Sequence, residues 1–550
     1  MIRARKIKSA MLAFAVGLGL VGVTLGTVAQ AQTLRWATAG DIQTLDPHAQ
    51  NEGLTNSFNA HIYERLTARA ADLALVPGLA ERWERLGPTA WRFHLRQGIQ
   101  FQDGSAFSAD DVLFSIERAK HPNSAVAQYA NGLGAVRKVD AHTVELHQAK
   151  PNPVLLDHLD AIFIMSRRWS ENHNVQQPLS HKAKEESHAS RHANGTGPYR
   201  LHSREFDVKN VLRQWPGYWG LAQGRFEGNV REVVHLPMAS AVARTAALLA
   251  GEIDFLLDPA AQDVERLAAN PKLKVMQGPE NRVIFLGFDQ ARENPPGVSL
   301  PASTNASASA TQPPGNPFKS HVVRQAIAHA IDVQALRTHT MRGQSAPAWC
   351  LAPSELACRQ AEAMASRPRF DIEQAKKLLA QAGYPNGFDT PLDCPNNRYV
   401  NDEALCIAIS GMLAKVNVRV RVNAMPKAQF FQRLEKLESA FYLMGWGGAE
   451  TDAQPTMDPL MHSFEASTSK GEDNYGRFAN PALDALIDAA ATEADPAKRA
   501  GMVTQALALH SHQIHHLVLH RQALVWAMQK TVSAMPAANN HFRAWMARVN

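Results

Sequence analysis

Cysteine is scarce in this chain of 550 residues: there are four, and the first is Cys350. None lies near the N-terminus, which excludes lipid attachment to a cysteine there. The spacings among Cys350, Cys358, Cys394 and Cys406 include no close pair of the kind that builds a structural zinc site. Four cysteines allow three pairings. In an oxidising compartment the two short loops, Cys350 to Cys358 and Cys394 to Cys406, are the simplest choice, worth about 2–3 kcal/mol each by loop closure. Catalytic signatures are missing as well. There is no nucleophile elbow, no HExxH and no phosphate loop, so no enzyme activity and no cofactor are expected. No basic stripe interleaved with aromatics appears, so nucleic acid is not an expected partner. After residue 28 no apolar run is long enough to span a bilayer.

What is present at the start is a basic head, Arg3, Arg5, Lys6 and Lys8, then an apolar run from Ala10 to Val28. Ala29-Gln30-Ala31 follows as a small-x-small processing pattern, so the chain reads as a secretory signal peptide cleaved after Ala31. The expected compartment is the bacterial periplasm, without a lipid anchor. Removal of residues 1–31 takes four basic and no acidic side chains, leaving 53 against 51 and a net charge of +2. The remaining chain is longer than one hydrophobic core usually supports, so two or three domains are expected.

In chain order, Thr33 to Ala39 alternates like a strand, and Ser57 to Leu66 has helical spacing, with Tyr63 beside its apolar side. Ser108 with Asp111 three residues on forms a capping-box pattern before an apolar stripe. Val136 to His147 reads as a hairpin, and Ser170 to Ala193 as a polar surface excursion holding His173, His181, His188 and His192. The compact segment Asn194 to Arg200 (NGTGPYR) offers Tyr199 as a candidate for a cleft wall. Ser240 to Ala250, stopped by Gly251, forms a helix-to-strand unit with Ile253 to Phe255. Residues 294–317 are of low complexity and read as a long surface loop. Helices are expected from Lys319, from Asp371 to Ala382 and from Asp402 to Lys415, and the region Pro481 to Leu509 is helical. His512 and His516 stand four residues apart, one turn on a helix.

Phe441 to Pro459 (FYLMGWGGAETDAQPTMDP) is the stretch around which the chain is organised. An apolar strand runs into Gly445, Trp446, Gly447 and Gly448, and the acids Glu450 and Asp452 follow. The glycines permit a sharp turn with little bulk. An indole and carboxylates at a strand end suit a ligand ammonium group. The same residues also fit a core tryptophan with acids that cap the next turn.

Six segments carry a resemblance: WRFHLRQGIQFQDGSAFSADDVLFSIERA (91–119), GTGPYRL (195–201), LLAGEIDF (248–255), VRQAIAHAID (323–332), AKKLLAQAGYPNGF (375–388) and the GWGG strand end. In this order the chain resembles the extracytoplasmic solute-binding proteins of ABC importers, in the oligopeptide, dipeptide and nickel-binding branch. The resemblance implies an α/β, bilobal periplasmic-binding-protein fold (type II, large three-domain variant) with a ligand cleft between lobes. Mapped here, lobe I holds residues 32–70, 194–290 and 520–550, an inserted small domain 71–193, and lobe II 291–519. It implies a monomer that captures di- or oligopeptides and delivers them to an inner-membrane permease with its cytoplasmic ATPase.

Carried over residue by residue, the resemblance makes Glu450 or Asp452 the partner of a peptide ammonium, where the family's usual residue is aspartate and this chain has Ala449 just before. Arg398, out of register with the family's arginine, becomes the partner of the ligand carboxylate, with Trp446, Tyr399, Tyr63 and Tyr199 as aromatic candidates. Two alternatives remain open: a nickel, metal-chelate or other small-solute binder of the same fold, drawing on the histidines of 510–520, and a peptide-holding chaperone or chemoreceptor adaptor.

Overall fold

The computed structural model describes residues 32–180, 185–300, 315–353, 355–448 and 451–550. The expected signal peptide, His181 and Glu450 lie outside the described residues.

The molecule is organised on a mixed sheet of eleven strands. From one edge the order is Val418–Met425, Phe388–Pro395, Phe441–Gly447, Leu273–Phe288, His516–Gln529, Phe255–Leu257, Thr33–Thr38, Glu232–Pro237, Lys209–Gln214 and Tyr199–Glu205. The short strand Ser345–Pro347 joins the His516–Gln529 strand off this path. The two central strands are long, of 16 and 14 residues, and pair antiparallel along most of their length. Their pairing shifts register between Pro279 and Val283 and again between Ile284 and Phe285. One end of each packs with one core and the other end with a different core. Val283 to Phe288 and Leu517 to Leu519 belong to a core built with residues 318–507, whereas Leu524, Trp526 and Met528 pack with Leu34, Trp36, Phe58 and Phe255.

A separate four-stranded antiparallel sheet runs Ala80–Gly87, Ala90–Leu95, Thr143–His147, Ala135–Asp140. Phe93, Val144 and Leu146 on its inner side meet Val112 and Ile116 of the helix Ala109–Ala119, forming a third core. That helix begins with the expected capping box: Ser108 and Asp111 each bond the other's backbone or side chain. The helix Ala241–Ala250 is capped by Ser240 and ends on Gly251 at φ +77°, a left-handed position that glycine reaches without strain.

Two expectations are corrected and one is refined. The helix read over Ser57 to Leu66 is Gly53–Asn59, because the Glu52 carboxylate accepts from the Leu54 and Thr55 N–H groups and starts it earlier. The helical region Pro481 to Leu509 is two helices, Pro481–Thr492 and Pro496–Gln513, divided where Asp495 caps the second. His512 and His516 do not share a helix face. Ile514 takes a left-handed conformation, the helix stops, and His516 opens a strand. It is His510 that meets His516, nitrogen to nitrogen at 3.0 Å, beside Phe478 stacked on His515. Among the described residues no group of three or more His, Cys, Asp or Glu converges as a metal site. Both short-loop disulfides are formed, Cys350–Cys358 and Cys394–Cys406.

Candidate functional site

The strand Phe441–Gly447 lies between the strands Phe388–Pro395 and Leu273–Phe288, buried from Phe441 to Gly445 and opening at Trp446. Gly445 is required there by its neighbour. A Cβ on it would stand 2.7 Å from the Tyr399 ring and 2.8 Å from Ile284. Its absence lets the Tyr399 ring lie against the strand, and the Tyr399 hydroxyl donates to the Gly445 carbonyl at 3.2 Å. The loop that carries Arg398 and Tyr399 is tied twice. The Cys394–Cys406 bridge spans it, and one Asp402 oxygen accepts from the Arg398 and Tyr399 N–H groups at 2.9 and 3.0 Å.

Across from this loop stands Glu52, at the N-terminus of its short helix. Arg398 Nε lies 3.0 Å from one Glu52 oxygen, and Lys427 Nζ donates to the other at 3.2 Å. All three side chains are nearly or fully buried, at 13% exposure for Arg398 and 5% for each of the others. Burial alone raises a carboxyl's pKa, but Lys427, Arg398 and the helix N–H groups together hold Glu52 well below the usual carboxylate range. Burial pulls Lys427 down, against the opposing pull of Glu52. Behind them Arg282 Nε pairs with Glu280 at 2.5 Å, and the other Glu280 oxygen accepts from Gln522 at 2.6 Å. Burial and the nearby Glu280 charge push Asp258 above the ordinary carboxylate range while Asn540 donates to both of its oxygens at 3.0 Å. Glu52 thus pairs with Arg398 and Lys427, and Glu280 with Arg282, with Asp258 close to the same guanidinium groups.

These groups border two cavities. The larger, of about 240 Å³, is lined by Gln50, Tyr129, Arg398, Trp446, Asp473 and Arg477, among others, so the four-stranded domain and both halves of the large sheet contribute to it. The second, of about 180 Å³, lies between Arg244 and Asp258 on one side and Asn396, Asp402 and Lys427 on the other.

Of the candidates read from the sequence, Arg398, Tyr399 and Trp446 line the larger cavity. Asp452 does not: both its oxygens are taken by Arg499, and it caps Gln454 as well. Tyr63 and Tyr199 are core residues. Tyr63 packs on Phe163, and the Tyr199 hydroxyl donates to the Val230 carbonyl at 3.0 Å in a fully buried setting. Neither borders a cavity described here. Sequence reasoning missed Glu52, Lys427, Arg282 and Asp473. One signal was available for Lys427. It is the first residue of the helix Lys427–Glu435, where a cation opposes the helix dipole, so it needs a partner from elsewhere in the fold.

Comparison with known proteins places this geometry. The model for bacterial extracellular solute-binding proteins, family 5, matches residues 74–468. The chain is 26% identical to a dipeptide-binding protein of Escherichia coli (strain K12), over 97% of this chain and 98% of that one. It is also 26% identical to heme-binding protein A of Haemophilus influenzae, over 85% of this chain and 81% of the relative. Among solved structures, a dipeptide-binding protein of Pseudoalteromonas sp. SM9913 in complex with Met-Leu superposes with a TM-score of 0.80 at 20% identity, covering 94% of this chain and all of that one. The chain belongs to the bacterial extracellular solute-binding proteins of family 5, and is a bilobal periplasmic binding protein of the ABC-importer type, a transport component and not a catalyst.

Proposed function

We propose that this protein captures di- or oligopeptides, or closely related amino-acid-derived solutes, in the cleft between its lobes and hands them to a membrane permease. The observation that carries this reading is the pair of buried guanidinium groups, Arg282 and Arg398, that border both cavities. Arg65 and Arg477 also border the larger cavity, and Lys427 the second. A solute carboxylate that meets these groups is held through charge-assisted hydrogen bonds. The opposite requirement, an acid for an ammonium group, is met by Asp473, which borders the cavity and accepts from the Tyr475 hydroxyl at 3.0 Å. Trp446, which lines the same cavity, supplies an aromatic face. Main-chain bonding to the strand end 445–448 suits an extended backbone and leaves side chains unselected.

The lobes assigned to this reading are residues 32–70, 194–290 and 520–550, and 291–519, with 71–193 inserted. The cores follow these segments in the main, but Val283 to Phe288 pack with the core of 291–519, and Phe163, Met165, Trp169, Val175 and Ala189 with the core of Leu34 and Trp36. Export with cleavage after Ala31 delivers the chain to the periplasm as a monomer.

Titration calorimetry with alanyl-alanine tests the ligand class. Arg398→Met is expected to weaken binding at least 30-fold, since truncating one member of a buried charge pair costs about 2–5 kcal/mol. Equal affinity of the wild type and this variant would refute the carboxylate assignment.

A further inference from the structure

Glu52, Gly53, Arg282, Arg398, Tyr399, Asn539 and His541 border both cavities, so the Glu52–Arg398 ion pair stands in the wall between the two, with Lys427 on the side of the second. The larger cavity alone falls below the ~300–1,000 Å³ usual for ligand pockets, and the two joined reach that range. Arg244 lines the second cavity and is 6% exposed. Its Nη1 donates to the Met238 carbonyl and to the Ala239 carbonyl at 3.0 Å, while its buried Nε has no hydrogen-bond partner among the described residues. A buried donor left without an acceptor costs about 1–3 kcal/mol, which an incoming carbonyl or carboxylate removes. Gly53 leaves the wall thin: a Cβ there would stand 3.3 Å from the tip of Arg398 and 3.4 Å from that of Arg282.

We propose that the second cavity is an extension subsite for the carboxylate or carbonyl end of a longer solute, held by Arg244, and that the Glu52 clasp to Arg398 and Lys427 is the partition that sets the solute length. This rests on the solute-binding reading of the cleft. A short solute is held in the larger cavity with the clasp shut. A longer one must carry its end past the wall to Lys427 and Arg244, which both line the second cavity, in place of the Glu52 carboxylate. The exchange keeps the charge balance of the wall, and its cost is the release of Glu52 from two cations. Glu52 is then a specificity-determining residue, because it supplies the anion that a longer solute has to displace.

The test compares solutes carried by protein purified from one periplasmic extract and released by denaturation, read by mass spectrometry. The variant is Glu52→Asn with Lys427→Met, which keeps a helix cap and removes one charge of each sign. The upper limit of solute mass is expected to rise by at least one amino-acid residue relative to the wild type. Adding Ala241→Phe, at a partly exposed position that lines the second cavity, is expected to return the limit to the wild-type value. An unchanged limit in the double variant overturns the partition, and a raised limit that Ala241→Phe leaves in place overturns the subsite. The chemical class of the released solutes answers separately for the peptide reading: masses without amino-acid composition refute that reading, while a raised limit among them still supports the partition.

Discussion

Both carboxylate oxygens of Asp452 accept from Arg499, at 2.6 and 2.8 Å, and the pair is three-quarters or more buried. An acid so engaged is structural. Asp452→Ala is expected to cost about 1.5–3 kcal/mol of stability, the range for hydrogen bonds to charged groups, and to leave solute affinity within twofold of the wild type. Urea denaturation and calorimetry on the same preparation check both halves.

Glu52 makes the opposite prediction. Its carboxyl is held below the ordinary range in the folded state, so its contribution is present above the unfolded value near pH 4.3 and is lost as pH falls below it. Glu52→Gln is expected to destabilise the protein by about 3–5 kcal/mol at pH 7, because two buried cations lose their charge partner. The difference from wild type should shrink as pH drops below 4. A constant difference from pH 7 to 3 would show that Glu52 does not act through its charge.

A second pH dependence begins at higher pH. Burial pushes His510, His520 and His541 down to about 3, and His48 and His61 to about 4. Between pH 6.5 and 4 the unfolded chain binds protons that the folded one refuses, so stability falls as pH falls. Each histidine contributes about 1.4 kcal/mol per pH unit. Neither ring nitrogen of His520 has a hydrogen-bond partner among the described residues. His520→Leu is therefore expected to reduce the slope of stability against pH by one proton's worth, as read from denaturant midpoints at a series of pH values.

The two disulfides are expected to differ in consequence. Cys394–Cys406 closes the loop that presents Arg398 and Tyr399, whereas Cys350–Cys358 borders no cavity described here. Removing either pair by serine substitution should cost about 2–4 kcal/mol. Only loss of Cys394–Cys406 should also weaken solute binding, which calorimetry at a temperature where both variants are folded will show.

Gly445→Ala tests the seat of Tyr399. The new methyl group meets the Tyr399 ring at 2.7 Å, so the ring must leave the strand and take Arg398 with it. At least a tenfold loss of solute affinity is expected, with a smaller effect from Gly411→Ala, where a Cβ meets nothing within 4 Å.

How much of this was legible in the sequence follows from the range of the interactions. Local signals carried well: the Ser108–Asp111 capping box, the Gly251 stop and the Phe441 strand all depend on neighbours within a few residues, although Gly445 and Gly447, read as a turn, continue that strand. Arg398, Tyr399 and Trp446 were found because a strand end and a cysteine loop mark them. Glu52 was not, since its meaning comes from Lys427 and Arg398, more than 340 residues away. Asp452 misled for the same reason. Nothing near it in sequence announces Arg499. Tyr63 and Tyr199 were equally ambiguous, because an aromatic residue on a mixed surface is written alike whether it faces a cleft or a core.

The register shift in the long central strands has a mechanical consequence. Those strands are shared by both lobes, so a rotation of one lobe against the other is a twist of a two-stranded ribbon, concentrated where the ladder is already interrupted between Pro279 and Val283. Glu280 and Arg282 sit in that interruption as an ion pair, and Arg282 borders both cavities. Flexing and grasping therefore draw on one set of residues. On the proposed solute-binding reading, a solute that tightens the wall stiffens the pivot, and a change in the angle between the lobes is felt, by reciprocity, as a change in grip on the cargo.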